Sequence, residues 1–362
     1  MEKCLFHKVG VPVLQNQTYP SLQSALNVDR GEICLTVDEF GVLHNRAFDS
    51  TKIIYGPGYD NSQQSSKTFR RHLEDVADLC ASRFVGMQVY EVGAGDGSFL
   101  DRLNARGVAA RGCDPASDGR HPAIDPGSYV EYANQNVEAL VLRHVVEHIP
   151  SPREFLRDLK RCFPGANLIY VEVPNLNWII DERAWFDVTY EHVNYFTPSV
   201  LSGILGGSSD CREMFNGQFI GVFGDIGSSL NYQVSDRGEI SRICSEVLRL
   251  QSAQVSAVDS MHSFVGRHGL PIAIWGMAGK GAMLLETIES SGVQVSKLLD
   301  INEKKWKMYS TRGKQILPGE TMLHEEPHLV IVSNPVYLNE VRQLAGVHHS
   351  FATLGRDGFV VS

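Results

Sequence analysis

The sequence predicts an α/β protein with two parallel-sheet units behind a small, irregular β-rich N-terminal segment. Three observations carry this. Short apolar runs alternate with amphipathic helical patterns from about residue 66 to 225. Two Gly-rich turns, at 93–97 and 276–281, each follow a short apolar strand and precede a helix. A strand ending in Asp comes after each, at Asp114 and Asp300. Between the units, helical periodicity runs without a break over 236–265.

Taken in order, residues 1–65 hold short apolar runs at 33–35 and 53–55, set among Pro, Gly, Asn and Asp. A helix is expected from Ser66, with Phe69, Leu73, Val76, Cys80 and Phe84 on one face. Residues 87–92 form the first core strand, 99–106 a helix and 108–113 the second strand. Further strands fall at 139–144 and 168–173. Ser151-Pro152-Arg153-Glu154 reads as a capping box opening a helix over 155–162. Two strands near 213–215 and 219–223 close this sheet antiparallel. In the last unit, 272–275, 295–299 and 329–332 are strands and 283–290 is a helix. The units are 1–65, 66–227 and 228–362.

Composition narrows the function. A net charge of -9 over 362 residues gives no basic footprint for nucleic acid. No apolar run approaches the ~18 residues of a membrane span, and the N-terminus lacks a signal-peptide core. Seven scattered cysteines without a C-x-x-C argue against a full disulfide framework. A cytoplasmic location is expected.

The turn Glu91-Val92-Gly93-Ala94-Gly95-Asp96-Gly97 is the most informative stretch. Its glycines let the backbone turn tightly and approach a ligand. Glu91 would repel a pyrophosphate, so the ligand is expected to be cationic and rich in donors. S-adenosylmethionine (SAM), with its sulfonium, ammonium and ribose, meets that description. Asp114, 21 residues after Gly93, is placed to take the ribose hydroxyls. His144-x-x-Glu147-His148 matches a zinc-peptidase pattern. It straddles a strand end, and Pro150 and Pro152 stop any sustained helix, so no metal is expected there. His144 is expected in the cofactor pocket.

Residues 190–195 gather Tyr190, Glu191, His192 and Tyr195 beyond the end of a core strand. A histidine beside a carboxylate and phenols suits proton transfer near neutral pH. His192 is the expected general base, with Glu191 orienting it and Tyr190 or Tyr195 donating to a developing oxyanion. The second turn, Gly276 to Gly281, is two residues short of a phosphate loop. Packing and ligand binding are both open for it, with Lys280 as the substrate contact. Asn175 is a further expected substrate contact.

These residues, in this order, resemble the three-part SAM-dependent C-methyltransferases of antibiotic deoxysugar pathways, which methylate nucleotide-linked ketosugars. The markers run from Pro12-Val13-Leu14-Gln15-Asn16 and Asn45-Arg46-Ala47-Phe48-Asp49 through Glu91–Leu100, 143–150, Glu191-His192 and 275–285 to Ser333-Asn334-Pro335. The resemblance implies an N-terminal zinc domain, a Rossmann-like class I SAM methyltransferase core and a second Rossmann-like domain that helps hold substrate. Two features depart from it. The zinc cysteines are reduced to Cys4 and His7, with Val37 and Phe40 at the other pair, which is short of four ligands. Thr189 stands where many members have Tyr. The expectation is therefore SAM-dependent methylation of a small molecule, with nucleotide-linked sugars the implied class. O-methylation, a nicotinamide oxidoreductase and a non-catalytic SAM binder are the alternatives.

Overall fold

A computed structural model describes residues 3–55, 58–60, 62–133, 135–207, 210–227 and 235–362. The predicted boundary after 227 opens onto 228–234, outside the described residues.

The described residues form three sheets. The central one has seven strands, in the order Asp210–Met214, Phe219–Asp225, Leu168–Pro174, Ala139–Arg143, Gln88–Val92, Ala109–Asp114 and Ile124–Pro126. The last five are parallel; Phe219–Asp225 runs antiparallel to Leu168–Pro174, and Asp210–Met214 forms an antiparallel hairpin with Phe219–Asp225. Residues 139–142 and 169–173 are entirely buried, as strands covered on both faces must be. Gln88–Val92 lies between a strand later in sequence on each side. Such a switch point leaves a crevice at the strands' carboxyl ends. This is the expected Rossmann-like α/β core.

A second parallel sheet holds Ile316–Pro318, Val295–Asp300, Ile272–Trp275, Leu329–Val332 and Ser350–Gly355, with Gly358–Val361 antiparallel at one edge. The 32-residue helix Arg237–His268 stands between the units, its N-terminus capped by Asp236. It ends at Gly269, whose φ of +65° is the left-handed stop that favours glycine. The expected end near 265 is thus extended to His268.

The N-terminal sheet is antiparallel, with Phe6–Pro12, Arg30–Val37, Leu43–Asn45 and then Asn194–Tyr195. That last short strand belongs to the central unit in sequence. Its pairing with residues 43–44 carries the loop before it, 189–193, to the seam between the two units.

Several local expectations are corrected. Residues 53–55 form no strand; they follow the short 3-10 turn Ser50–Lys52, and Ile54 is exposed. Ser151 precedes Pro152 at the helix start but makes no side-chain cap, so there is no capping box. The strand expected at 213–215 is Asp210–Met214. Phe215 and Asn216 turn away with φ of +49° and +55°.

Candidate active site

The carboxyl ends of the central strands open into a cavity of about 1560 Å³. Its walls come from the first Gly turn, most of residues 143–149, Tyr59, then Asp187, Thr189, Glu191 and His192, and the second Gly turn with Asp300, Asn302 and Lys305.

At the first turn Gly93, Gly95 and Gly97 have φ of +79°, +56° and +79°. A Cβ at Gly93 would lie 2.6 Å from Val145 Cγ2, and one at Gly97 would lie 2.7 Å from the His121 ring. A Cβ at Gly95 meets no protein atom, so its space is left to the cavity. Asp114 accepts from the amides of Gly95 and Ala116 at 2.8 Å, and Ala94 N donates to Cys113 O at 3.0 Å. The acid at the second strand's tip thus pins the turn while facing the cavity. Glu91 is 2% exposed, and its Oε2 has no hydrogen-bond partner among the described residues. Burial pushes its carboxyl up to about 8, against the pull of Arg143. A buried, unpaired carboxyl oxygen behind a glycine cradle fits a cationic ligand with amine and hydroxyl donors. SAM is such a ligand; Glu91, Gly93, Ala94, Gly95 and Asp114 line this end of the cavity, and Gly97 does not.

Glu172 anchors the next wall. It is fully buried and meets Arg143 Nη2 at 3.1 Å, His72 Nε2 at 3.3 Å, His144 Nε2 at 3.4 Å and Tyr170 Oη at 3.0 Å. Burial alone would raise its pKa; Arg143, His144 and His72 outweigh that and hold it well below the usual carboxylate range. His144 lines the cavity with φ of +55°. It is held between Glu172 and Glu147, whose Oε1 lies 3.3 Å from His144 Nδ1. Burial opposes its charge, but the two carboxylates raise it to about 9. No local spacing announces this cluster, because helix Lys67–Arg83 and two strands meet to form it.

The structure separates the proton-transfer residues expected over 190–195. Glu191 does not touch His192. Its Oε1 takes the amides of Gln15 and Asn16, and its Oε2 accepts from Tyr59 Oη at 2.8 Å. Tyr190 is buried under Phe48 and exchanges hydrogen bonds with the Asp49 backbone. Tyr195 Oη takes Thr189 N and donates to Thr189 O. Neither phenol lines the cavity. These three residues shape the loop. His192 does line the cavity; its Nδ1 has no hydrogen-bond partner among the described residues, and its ring packs edge-on against His148, 5.0 Å between centroids. Burial, then His148, pushes the His192 pKa well below its ordinary value.

His148 and Tyr59 complete this wall. Tyr59 carries no sequence signal of its own, and His148 belongs to the zinc-peptidase-like pattern that straddles the strand end, which gives no sign of a place beside His192. Lys280 reaches the cavity wall, where it pairs with Asp187 and lies 5.0 Å from the Trp178 ring centroid. Asn175 does not line the cavity. It caps helix Leu176–Asp181 through Asn177 N and donates to Gly217 O. In the N-terminal sheet Cys4 meets Cys34 as a disulfide, Cα–Cα 5.5 Å, while His7 pairs with Glu32. Phe40 lies under the Arg153 guanidinium.

Residues 65–207 match the protein family described as a methyltransferase domain. The central domain is a SAM-dependent methyltransferase. The match spans the glycine cradle, the Glu172 cluster and His192. Comparison with curated proteins finds no match. Solved structures similar to this methyltransferase include magnesium protoporphyrin IX methyltransferase from Synechocystis, bound to SAH. It shares 15% identity over 47% of this chain and 90% of its own, with a TM-score of 0.35. A SAM-dependent methyltransferase from Archaeoglobus fulgidus shares 17% identity over 44% of this chain and 100% of its own, with a TM-score of 0.32.

Proposed function

We propose that the enzyme methylates a carbon next to a carbonyl in a nucleotide-linked ketosugar or related small natural-product intermediate. The observation that carries this reading is the position of His192. His192, whose Nδ1 is unpartnered among the described residues, lines a cavity that also holds the glycine cradle and the second Gly turn. When bound, SAM supplies a methyl group activated on a sulfonium. Glu91, Gly93, Gly95 and Asp114 hold it. His192 takes the acceptor's proton, and Lys280 and the second Gly turn orient the rest of the acceptor. Glu191 and Tyr195 are positioning residues, which fix the loop that presents His192. The three units 1–65, 66–227 and 228–362 would then supply the loop's anchor, the cofactor site and an acceptor wall. O-methylation of a sugar uses the same groups, and product NMR separates a C–CH3 from an O–CH3.

His192→Asn is expected to keep SAM affinity by calorimetry and to lose roughly 10²–10⁴ in kcat. Near-normal turnover on an accepted ketosugar would place the proton acceptor elsewhere.

A further inference from the structure

Glu147, His148 and His192 each bring one ligand atom to a common point, all within 4.8 Å of one another. This is the only group of three or more His, Cys, Asp or Glu residues so arranged among the described residues. Glu147 and His148 sit on the 3-10 turn Val146–His148, just beyond strand Ala139–Arg143. His192 arrives from the loop that the N-terminal sheet holds in place. All three line the cavity.

Two further observations point to a ligand at this spot. Glu147 is 1% exposed, and among the described residues its Oε2 has no hydrogen-bond partner; neither has the buried His192 Nδ1. Leaving a buried carboxylate oxygen unsatisfied is costly. His148 Nδ1 lies 2.8 Å from the Glu191 carbonyl oxygen. A carbonyl only accepts, so Nδ1 carries the proton and Nε2 keeps the lone pair. A second nitrogen tied to a backbone carbonyl is how metal-binding histidines are commonly held.

We propose that Glu147, His148 and His192 bind one divalent cation of the zinc and cobalt class, with a coordination position open to the cavity. Two imidazoles and one carboxylate suit these borderline ions better than magnesium or calcium, which prefer oxygen. Ligand atoms about 2.0–2.2 Å from one ion lie no more than about 4.4 Å apart, and the three here all lie within 4.8 Å of one another. The open position faces the acceptor. The inference rests on the methyltransferase reading and narrows it to acceptors with an oxygen beside the methylated atom, which the ion would polarise. An ion bound here would hold His192 as a ligand, which replaces the proton-acceptor role given to His192 above and keeps the rest of that reading.

The test is calorimetric titration of chelator-treated protein with Co2+, together with its visible absorption spectrum. One equivalent per chain with d–d bands is expected. Glu147→Gln and His192→Asn should each weaken binding by about tenfold or more, the lower end of what loss of even a supporting group costs. Circular dichroism and SAM titration of both variants keep loss of folding apart from loss of the site. Cys4→Ser should leave Co2+ binding unchanged. Absence of stoichiometric binding in the native protein, or equal affinity in the folded variants, overturns the cation site. Such a result leaves the SAM site standing, because SAM affinity is read separately.

Discussion

Glu91 shows what a single residue contributes to this site and how much of that its neighbours in sequence announce. The strand end, the three glycines and Asp114 lie within one short stretch, so local spacing identifies all of them. Glu191 is the opposite case. Its carboxylate partners, Gln15, Asn16 and Tyr59, are 132 to 176 positions away, and adjacency to His192 suggested a contact the fold does not make. For Glu91, burial raises the folded pKa from 4.5 to about 8. Between those values the folded protein keeps a proton that the unfolded chain has released. The stability from this group is therefore full below about pH 4.5 and falls as pH rises toward 8. Glu91→Gln removes that loss, while Arg143, Asp96, Asp114 and Glu172, which face the same group, remain in both proteins. The ligand-free variant should gain on the native protein from pH 5 to pH 8, by on the order of a few kcal/mol at the upper end, and should bind SAM more weakly. Parallel Tm–pH curves for the two proteins would contradict this.

The two Gly turns allow a comparison of elements built alike. In the first, Asp114 accepts from Gly95 N at 2.8 Å; in the second, Asp300 accepts from Met277 N at 2.7 Å. The strand–turn–helix order and the downstream Asp are enough to predict both. Their packing is not readable from sequence, because it depends on which backbone atoms come close. Helix Gly279–Ser290 begins so near its own turn that a Cβ at Gly281 would lie 1.8 Å from Gly276 O. Inside a helix, Gly→Ala normally stabilises by roughly 0.8–1.0 kcal/mol. Here the sign should reverse. Gly281→Ala is expected to cost about 1–3 kcal/mol, read as a lower Tm, while SAM affinity at the first turn is unchanged. A higher Tm would show that the second turn does not need its glycine.

At the scale of the whole chain, periodicity predicts which face of each element is apolar, but not what that face meets. The three expected units therefore follow from pattern, while their union does not. One buried cluster contains Ile33 and Leu35 from the N-terminal sheet, Trp185 and Phe186 from the central unit, Leu250 and Met261 from the long helix, and Ile274 and Leu285 from the second sheet. Polar contacts cross the same seam. Glu286, 4% exposed, pairs with Arg30 of the N-terminal sheet and Arg312 of its own unit, and accepts from Thr311 Oγ1 at 2.7 Å. Lys8 Nζ reaches Thr287 Oγ1 beside it, its pKa lowered to about 8 by burial despite Glu286. Such a core cannot lose one unit without exposing the apolar faces of the others, so the chain should unfold in one transition. Trp275 reports on the second sheet and Trp185 on the seam, so fluorescence and far-UV circular dichroism should give the same midpoint. Glu286→Ala leaves two guanidinium groups without their shared carboxylate. Loss of a hydrogen bond to a charged group costs about 1.5–3 kcal/mol, and the lower part of that range applies because both arginines keep some access to water. The variant should shift the single transition downward without splitting it. Two separated midpoints in the native protein would mean that the seam is an interface between independently stable domains, and the Glu286 contacts would then act only in docking them.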